Sequence, residues 1–97
     1  MSRHKAYRTF GGQLVVDLQS DLTDTGMRVV APLVPENEGG PPVSRLQPVF
    51  EIAGIRMKLR IDALGAVPTR VLGRHVTDLA GEHDRIRNAL DTLFSGF

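Results

Sequence analysis

The sequence predicts a small, mainly β fold of the α+β class, with several strands followed by one C-terminal helix. Three observations predict it. Ile55, Met57, Leu59 and Ile61 alternate with Arg56, Lys58 and Arg60, the period of a strand with one apolar and one cationic face. Leu14, Val15, Val16 and Leu18 form a short, partly β-branched run suited to a buried strand. Ile86, Ala89, Leu90, Leu93 and Phe94 then fall on one stripe of an α-helix.

The elements follow in chain order. Lys5 to Thr9 reads as a short strand, turned by Phe10-Gly11-Gly12, because paired glycines reach backbone angles closed to other residues. Gln13 to Gln19 is the second strand, and Ser20 to Gly26 is polar and turn-prone. Met27 to Leu33 is the third; Pro32 has no amide hydrogen, so this strand is expected at an edge or bulged near its end. Pro35–Pro42 concentrates proline, glycine and acid and is expected to be a mobile surface loop. Val49 to Ile52 and Ile55 to Ile61 flank Ala53-Gly54, a hairpin turn. Val67-Pro68 interrupts the next segment, and Arg70 to Leu72 is expected as another short strand closed by Gly73. Glu82 and Asp84 favour the positive end of the final helix, and Gly96 is its stop.

The 97 residues are 41% hydrophobic and 24% charged, which fits one folded domain spanning residues 1–97 and argues against disorder throughout. A chain this short holds one modest core, so a second copy would help it. The absence of cysteine removes disulfides, a thiol nucleophile and thiolate zinc sites, and fits a reducing cytoplasm. A net charge of +1 is low for a protein that grips nucleic acid through phosphates. No apolar run approaches a membrane span, and no signal-type apolar stretch follows the basic start, so the protein is expected in the cytoplasm.

Candidate chemistry is sparse. His4, His75 and His83 show no ligand spacing with one another, so no metal or cofactor is expected. Asp17, Asp21 and Asp24 lack the alternate-position oxygen ligands of a calcium loop and read as turn and strand-end acids. Ser20, Ser44 and Ser95 lie in no nucleophile signature, and neither glycine pair has the lysine and helix of a phosphate loop. The cationic stripe Arg56–Lys58–Arg60 reads either as a solvated sheet face or as a surface for an acidic partner. No aromatic residue interleaves these cations, so a base-stacking platform is missing there.

An ordered series of segments resembles one family. Val16-Asp17-Leu18-Gln19-Ser20-Asp21-Leu22-Thr23-Asp24-Thr25, then Arg28-Val29-Val30-Ala31-Pro32-Leu33, is similar to the CcdB toxins of bacterial toxin–antitoxin pairs. Ala66-Val67-Pro68, Val71-Leu72-Gly73, Val76-Thr77-Asp78-Leu79 and the ending from Asn88 to Phe97 follow in the same order. The resemblance implies an SH3-like antiparallel barrel of the CcdB/MazF type with a C-terminal helix, assembled as a homodimer. It implies a toxin that is not an enzyme, binds the DNA gyrase A subunit and traps the gyrase–DNA cleavage complex. A CcdA-like antitoxin would neutralise it through a disordered acidic segment.

Carried over by position, the gyrase-facing residues are Ser20, Leu22 and Thr23 in a loop, with Asp91, Ser95, Gly96 and Phe97 at the end. Ser95 stands where the gyrase poison has a tryptophan essential for toxicity, and Phe97 is the expected substitute for that apolar surface. Phe94 is expected in the core as part of the helical stripe. The acidic antitoxin tail is expected on Arg45, Arg56, Lys58 and Arg60. Two rival readings stand beside this one. The same fold could carry weak or no gyrase activity and have another target. A MazF-like RNA-cleaving toxin would need a general base gathered with cations, for which Arg28, Arg56 and Arg60 are available but no base stands out.

Overall fold

The computed structural model describes residues 4–19 and 25–96. The strands are β1 (Lys5–Thr9), β2 (Leu14–Asp17), β3 (Met27–Pro35), β4 (Val49–Ile52), β5 (Ile55–Leu59), β6 (Gly65–Pro68) and β7 (Leu72–Asp78), and the helix is α1 (His83–Ser95). They form a curled antiparallel half-barrel in the order β4-β5-β3-β2-β1-β7, with β6 also paired to β3.

Strand β3 organises the sheet. Val30 to Pro32 pair with β2, while the opposite edge takes β6 along Met27 to Val30 and β5 along Leu33 to Pro35. Pro32 lies between those two stretches. Its carbonyl accepts the Arg60 N–H at 2.8 Å, so its nitrogen faces the same edge and has no hydrogen to return. The chain leaves the sheet there through a 3-10 turn over Ile61–Ala63 and rejoins β3 as β6. The expectation of a strand at an edge or bulged at Pro32 is therefore corrected: β3 is central and in regular register, and its neighbour is broken instead.

Alternation along β2 feeds two cores. Leu14 and Val16 point into the larger one, with Ala6, Ala31, Leu33, Phe50, Leu59, Ile61 and, from the helix, Ile86 and Ala89. Val15 points the other way, packing with Tyr7, Val30 and Leu72. A strand buried on both faces explains why β2 reads as a continuous apolar run. Ile86 is fully buried, and its truncation to alanine would cost on the order of 2–5 kcal/mol.

Two local expectations change. The strand expected over Arg70 to Leu72 is a 3-10 turn at Thr69–Val71, followed by the longer β7. Gly73 is what lets β7 lie against β1: a Cβ there would sit 2.7 Å from the Arg8 carbonyl oxygen. The segment expected to be a mobile loop is a run of turns pinned to β5, with Glu36 N–H donating to the Arg56 carbonyl at 3.1 Å and Glu38 N–H to that of Pro35 at 3.0 Å. The β4–β5 hairpin turns as expected at Ala53 and Gly54, both at positive φ, as a type I′ turn requires. The helix ends as expected at Gly96, left-handed with φ 77°, whose N–H caps the Thr92 carbonyl.

Gly73→Ala is expected to destabilise the protein by about 1–3 kcal/mol, because the obstructing atom is backbone and cannot rotate away. Gly65→Ala, whose new methyl meets nothing within 4 Å, is expected to change stability little. Urea unfolding of the two variants checks this; equal effects would contradict it.

Candidate functional site

The residues expected on the gyrase-facing surface divide. Ser20, Leu22, Thr23 and Phe97 lie outside the described residues. Asp91, Ser95 and Gly96 are exposed at the end of α1. Phe94 is 71% exposed, which corrects the expectation of core packing. Ile86 and Ala89 are buried and Leu90 and Leu93 half-buried, so the helical stripe runs out of cover in its last turn.

The cationic stripe is also reorganised. Lys58 is 3% exposed, and its Nζ donates to the Gly40 carbonyl at 3.0 Å, so it does not share the solvated face expected for it. The cause is the turn segment folded back over β5. Arg56 is exposed but makes a forked pair with Glu36 at 3.0–3.1 Å. Those hydrogen bonds, outweighing partial desolvation, hold the Glu36 carboxyl below its ordinary value. Arg60 pairs with Asp62 at 3.1 Å. Desolvation pushes the Asp62 carboxyl up, but hydrogen bonds from the Gln47 amide and Arg60 bring it below its ordinary value.

Arg45 is exposed and held at φ 74°, left-handed for a non-glycine residue. It lines a groove of about 720 Å³ between the segment 42–49 and α1, opposite Asn88 and Asp91. The groove thus joins Arg45, expected for the antitoxin, with Asp91, expected for gyrase. Arg85 shares it, donating to the Val49 carbonyl at 2.8 Å while its guanidinium lies 4.6 Å from the centre of the Phe50 ring. Sequence reasoning missed Arg85 because its partner carbonyl is 36 positions away.

Two further groupings were not legible in the sequence. His4 and His83 meet, with Nδ1 atoms 3.2 Å apart. Among the described residues no group of three or more metal-ligating side chains forms. Arg8, Phe10 and Arg74 surround a second, shallow depression beside Gly12 and Gly73. His75, the exposed one of the three histidines, follows Arg74 and meets the Tyr7 ring edge-on, centroids 5.7 Å apart.

Asp17 is a strand-end acid, as expected. It is fully buried at the end of β2, where Arg28 contacts its carboxylate at 2.8 Å and also donates to the Gln19 carbonyl at 3.0 Å. The Gln19 N–H donates to the same carboxylate at 3.0 Å. Arg28 is therefore committed to a buried pair and is not an open cation in a groove.

The curled half-barrel with one terminal helix recurs in solved structures of other proteins. Two solved structures of it come from mycobacterial species. One is an endoribonuclease, with a TM-score of 0.81 and 13% identity, covering 98% of this chain and 91% of that one. The other is an endoribonuclease in complex with its cognate antitoxin, with a TM-score of 0.81 and 14% identity, covering 98% and 95%. The model of the CcdB protein family matches residues 3–96, and the chain belongs to that family. It is thereby a toxin of the toxin–antitoxin class. The expectation of a toxin that is no enzyme is corrected by these two solved structures: both are endoribonucleases, so the same fold carries bond-cleaving activity in other proteins. No helix among the described residues is long and apolar enough to cross a membrane.

Two outcomes test the site's internal electrostatics. Arg28→Met should cost about 3–5 kcal/mol in urea unfolding, since it strands a buried carboxylate, while pairing it with Asp17→Leu should recover much of that loss. Asp62, lowered in the folded state, contributes stability above the ordinary carboxylate value that fades as pH falls through its folded one. Asp62→Asn should therefore lose less stability between pH 7 and pH 3 than the wild type.

Proposed function

We propose that this chain is the toxin of a toxin–antitoxin pair that cleaves RNA, acting as a homodimer in the cytoplasm and held in check by an antitoxin. The observation that carries this reading is the scaffold, shared over 98% of the chain with endoribonucleases. In such a reaction the RNA 2′-oxygen attacks phosphorus and the bond to the 5′-oxygen breaks. One group takes the 2′ proton, another returns a proton to the leaving oxygen, and cations stabilise the charge that builds on phosphate. Exposed His75, set against the Tyr7 ring, supplies the residue type for proton transfer. Arg45, Arg56 and Arg60 keep exposed or half-exposed guanidinium groups that suit an acidic antitoxin segment, whereas buried Lys58 does not.

A second reading, binding to the gyrase A subunit, is favoured by family membership and by one surface feature. Exposed Phe94 adjoins Ser95, so the last helical turn offers an aromatic anchor where the family tryptophan is replaced.

Purified protein incubated with single-stranded RNA, and separately with gyrase and supercoiled DNA, tests the two readings. RNA fragments that disappear with His75→Ala support the proposal. Intact RNA with accumulated gyrase-cleaved DNA overturns it in favour of the second reading, and loss of that DNA product with Phe94→Ala would assign the anchor.

A further inference from the structure

Among the described residues the most exposed large hydrophobic side chain is Phe10, 82% accessible at the tip of the β1–β2 turn. An exposed ring on a floppy loop would mean little, but this turn is built. Thr9 N–H donates to the Gln13 carbonyl at 2.8 Å, Gly12 N–H to the Thr9 carbonyl at 2.9 Å, and the Gln13 N–H to Thr9 Oγ1 at 3.1 Å. Phe10 itself donates its N–H to the Val71 carbonyl at 3.2 Å, which anchors the tip to the start of β7. The ring is therefore presented to solvent on a fixed backbone.

Cations flank it. Arg8 and Arg74 line the same depression, and no carboxylate does. Arg8 is steadied by donating to the Gly12 carbonyl at 2.9 Å, and Arg74 has no ion pair with any described residue. Gly73 sets the spacing: without a side chain, β7 comes close enough to the Arg8 backbone and the Phe10 ring to bring Arg74 beside them. Sixty-odd residues of chain separate the turn from Arg74, so the grouping exists only in the fold.

We propose that Phe10, Arg8 and Arg74 form a binding site for single-stranded RNA, in which one base stacks on Phe10 and the two guanidiniums contact the phosphates beside it. Stacking needs an accessible, pre-positioned ring, and backbone contact needs cations not already paired; the depression supplies both. This deepens the reading of the chain as an RNA-cleaving toxin and rests on it.

The test is binding of a fluorescent, 2′-O-methylated single-stranded RNA, read by anisotropy across a salt series, with light scattering for the size of each variant. Phe10→Ala should weaken binding about 5- to 150-fold, the range for loss of one base–aromatic stack, and Phe10→Trp should retain it. Arg74→Ala should weaken binding and reduce the slope of log K against log salt by about 0.7, the single-strand value for one phosphate contact. Arg87→Ala, on the exposed helix face, should leave binding unchanged. If the wild type binds no RNA, the proposed function falls and this site with it. If the wild type binds and cleaves RNA but Phe10→Ala and Arg74→Ala bind as well as it does, the site alone is overturned. A change in oligomer size with Phe10→Ala, without a change in RNA affinity, would reassign Phe10 to contact between copies and also overturn it.

Discussion

The missing amide hydrogen of Pro32 constrains the whole sheet. A central strand of nine residues should be paired along both edges, but at Pro32 the edge shared by β5 and β6 offers an acceptor and no donor. The sheet accommodates this by breaking the neighbour. Arg60 gives its N–H to Pro32 and the chain turns away at once, driving Ile61 into the larger core with no exposed surface left. That detour separates β5, which works with β4 and the helix, from β6, which closes the smaller core around Val30.

The same strand carries the buried ion pair. Arg28 and Val30 share the face of β3 that points to the smaller core, and Asp17 pairs in register with Val30. Asp17 and Arg28 therefore meet at the end of that core, at 0% and 5% side-chain exposure. Two charges in so dry a place gain little net stability over apolar residues of similar shape. What they fix is register: the carboxylate also takes the Gln19 N–H, and the Gln19 side-chain carbonyl takes the Val29 N–H at 3.1 Å. The chain leaving β2 is tied to the chain entering β3, whatever lies in the loop between them.

Much of this was legible in the sequence where the signal is local. β1 and β4 fall where alternation and turn residues place them, and the helix is marked by its apolar spacing and by Gly96. β6 and β7 were illegible because Pro68 and Gly73 read as breakers, when in the fold they are tolerated by pairing to β3 and β1. The cationic stripe misled for a related reason. Alternation says which side of a strand a residue faces but not what covers that side, and here the segment after β3 folds over Lys58. The helix end misled in the opposite sense: periodicity assigns Phe94 to the apolar stripe, but the stripe outlasts the core beneath it. The site was less legible than the fold, since nothing in the sequence marks Arg74 as a neighbour of Arg8 and Phe10.

Charge shows most plainly how a whole-chain quantity conceals a local one. A net charge of +1 argues against a phosphate-binding surface only if acids and bases are mixed evenly. They are not. Asp17, Glu36, Asp62, Glu82 and Asp84 are each matched to an arginine, namely Arg28, Arg56, Arg60, Arg85 and Arg87. Those pairs cancel in the sum and, at the surface, contribute little to stability. Their effect is to remove acids from competition elsewhere. Arg70 and Arg74 are left without an ion pair among the described residues, on the 3-10 turn and strand that follow β6. Field strength at a surface depends on the charges within about 8–10 Å at physiological salt, not on the total. A nearly neutral chain can therefore present a cationic surface at the β1–β7 edge, with an aromatic ring already standing in it.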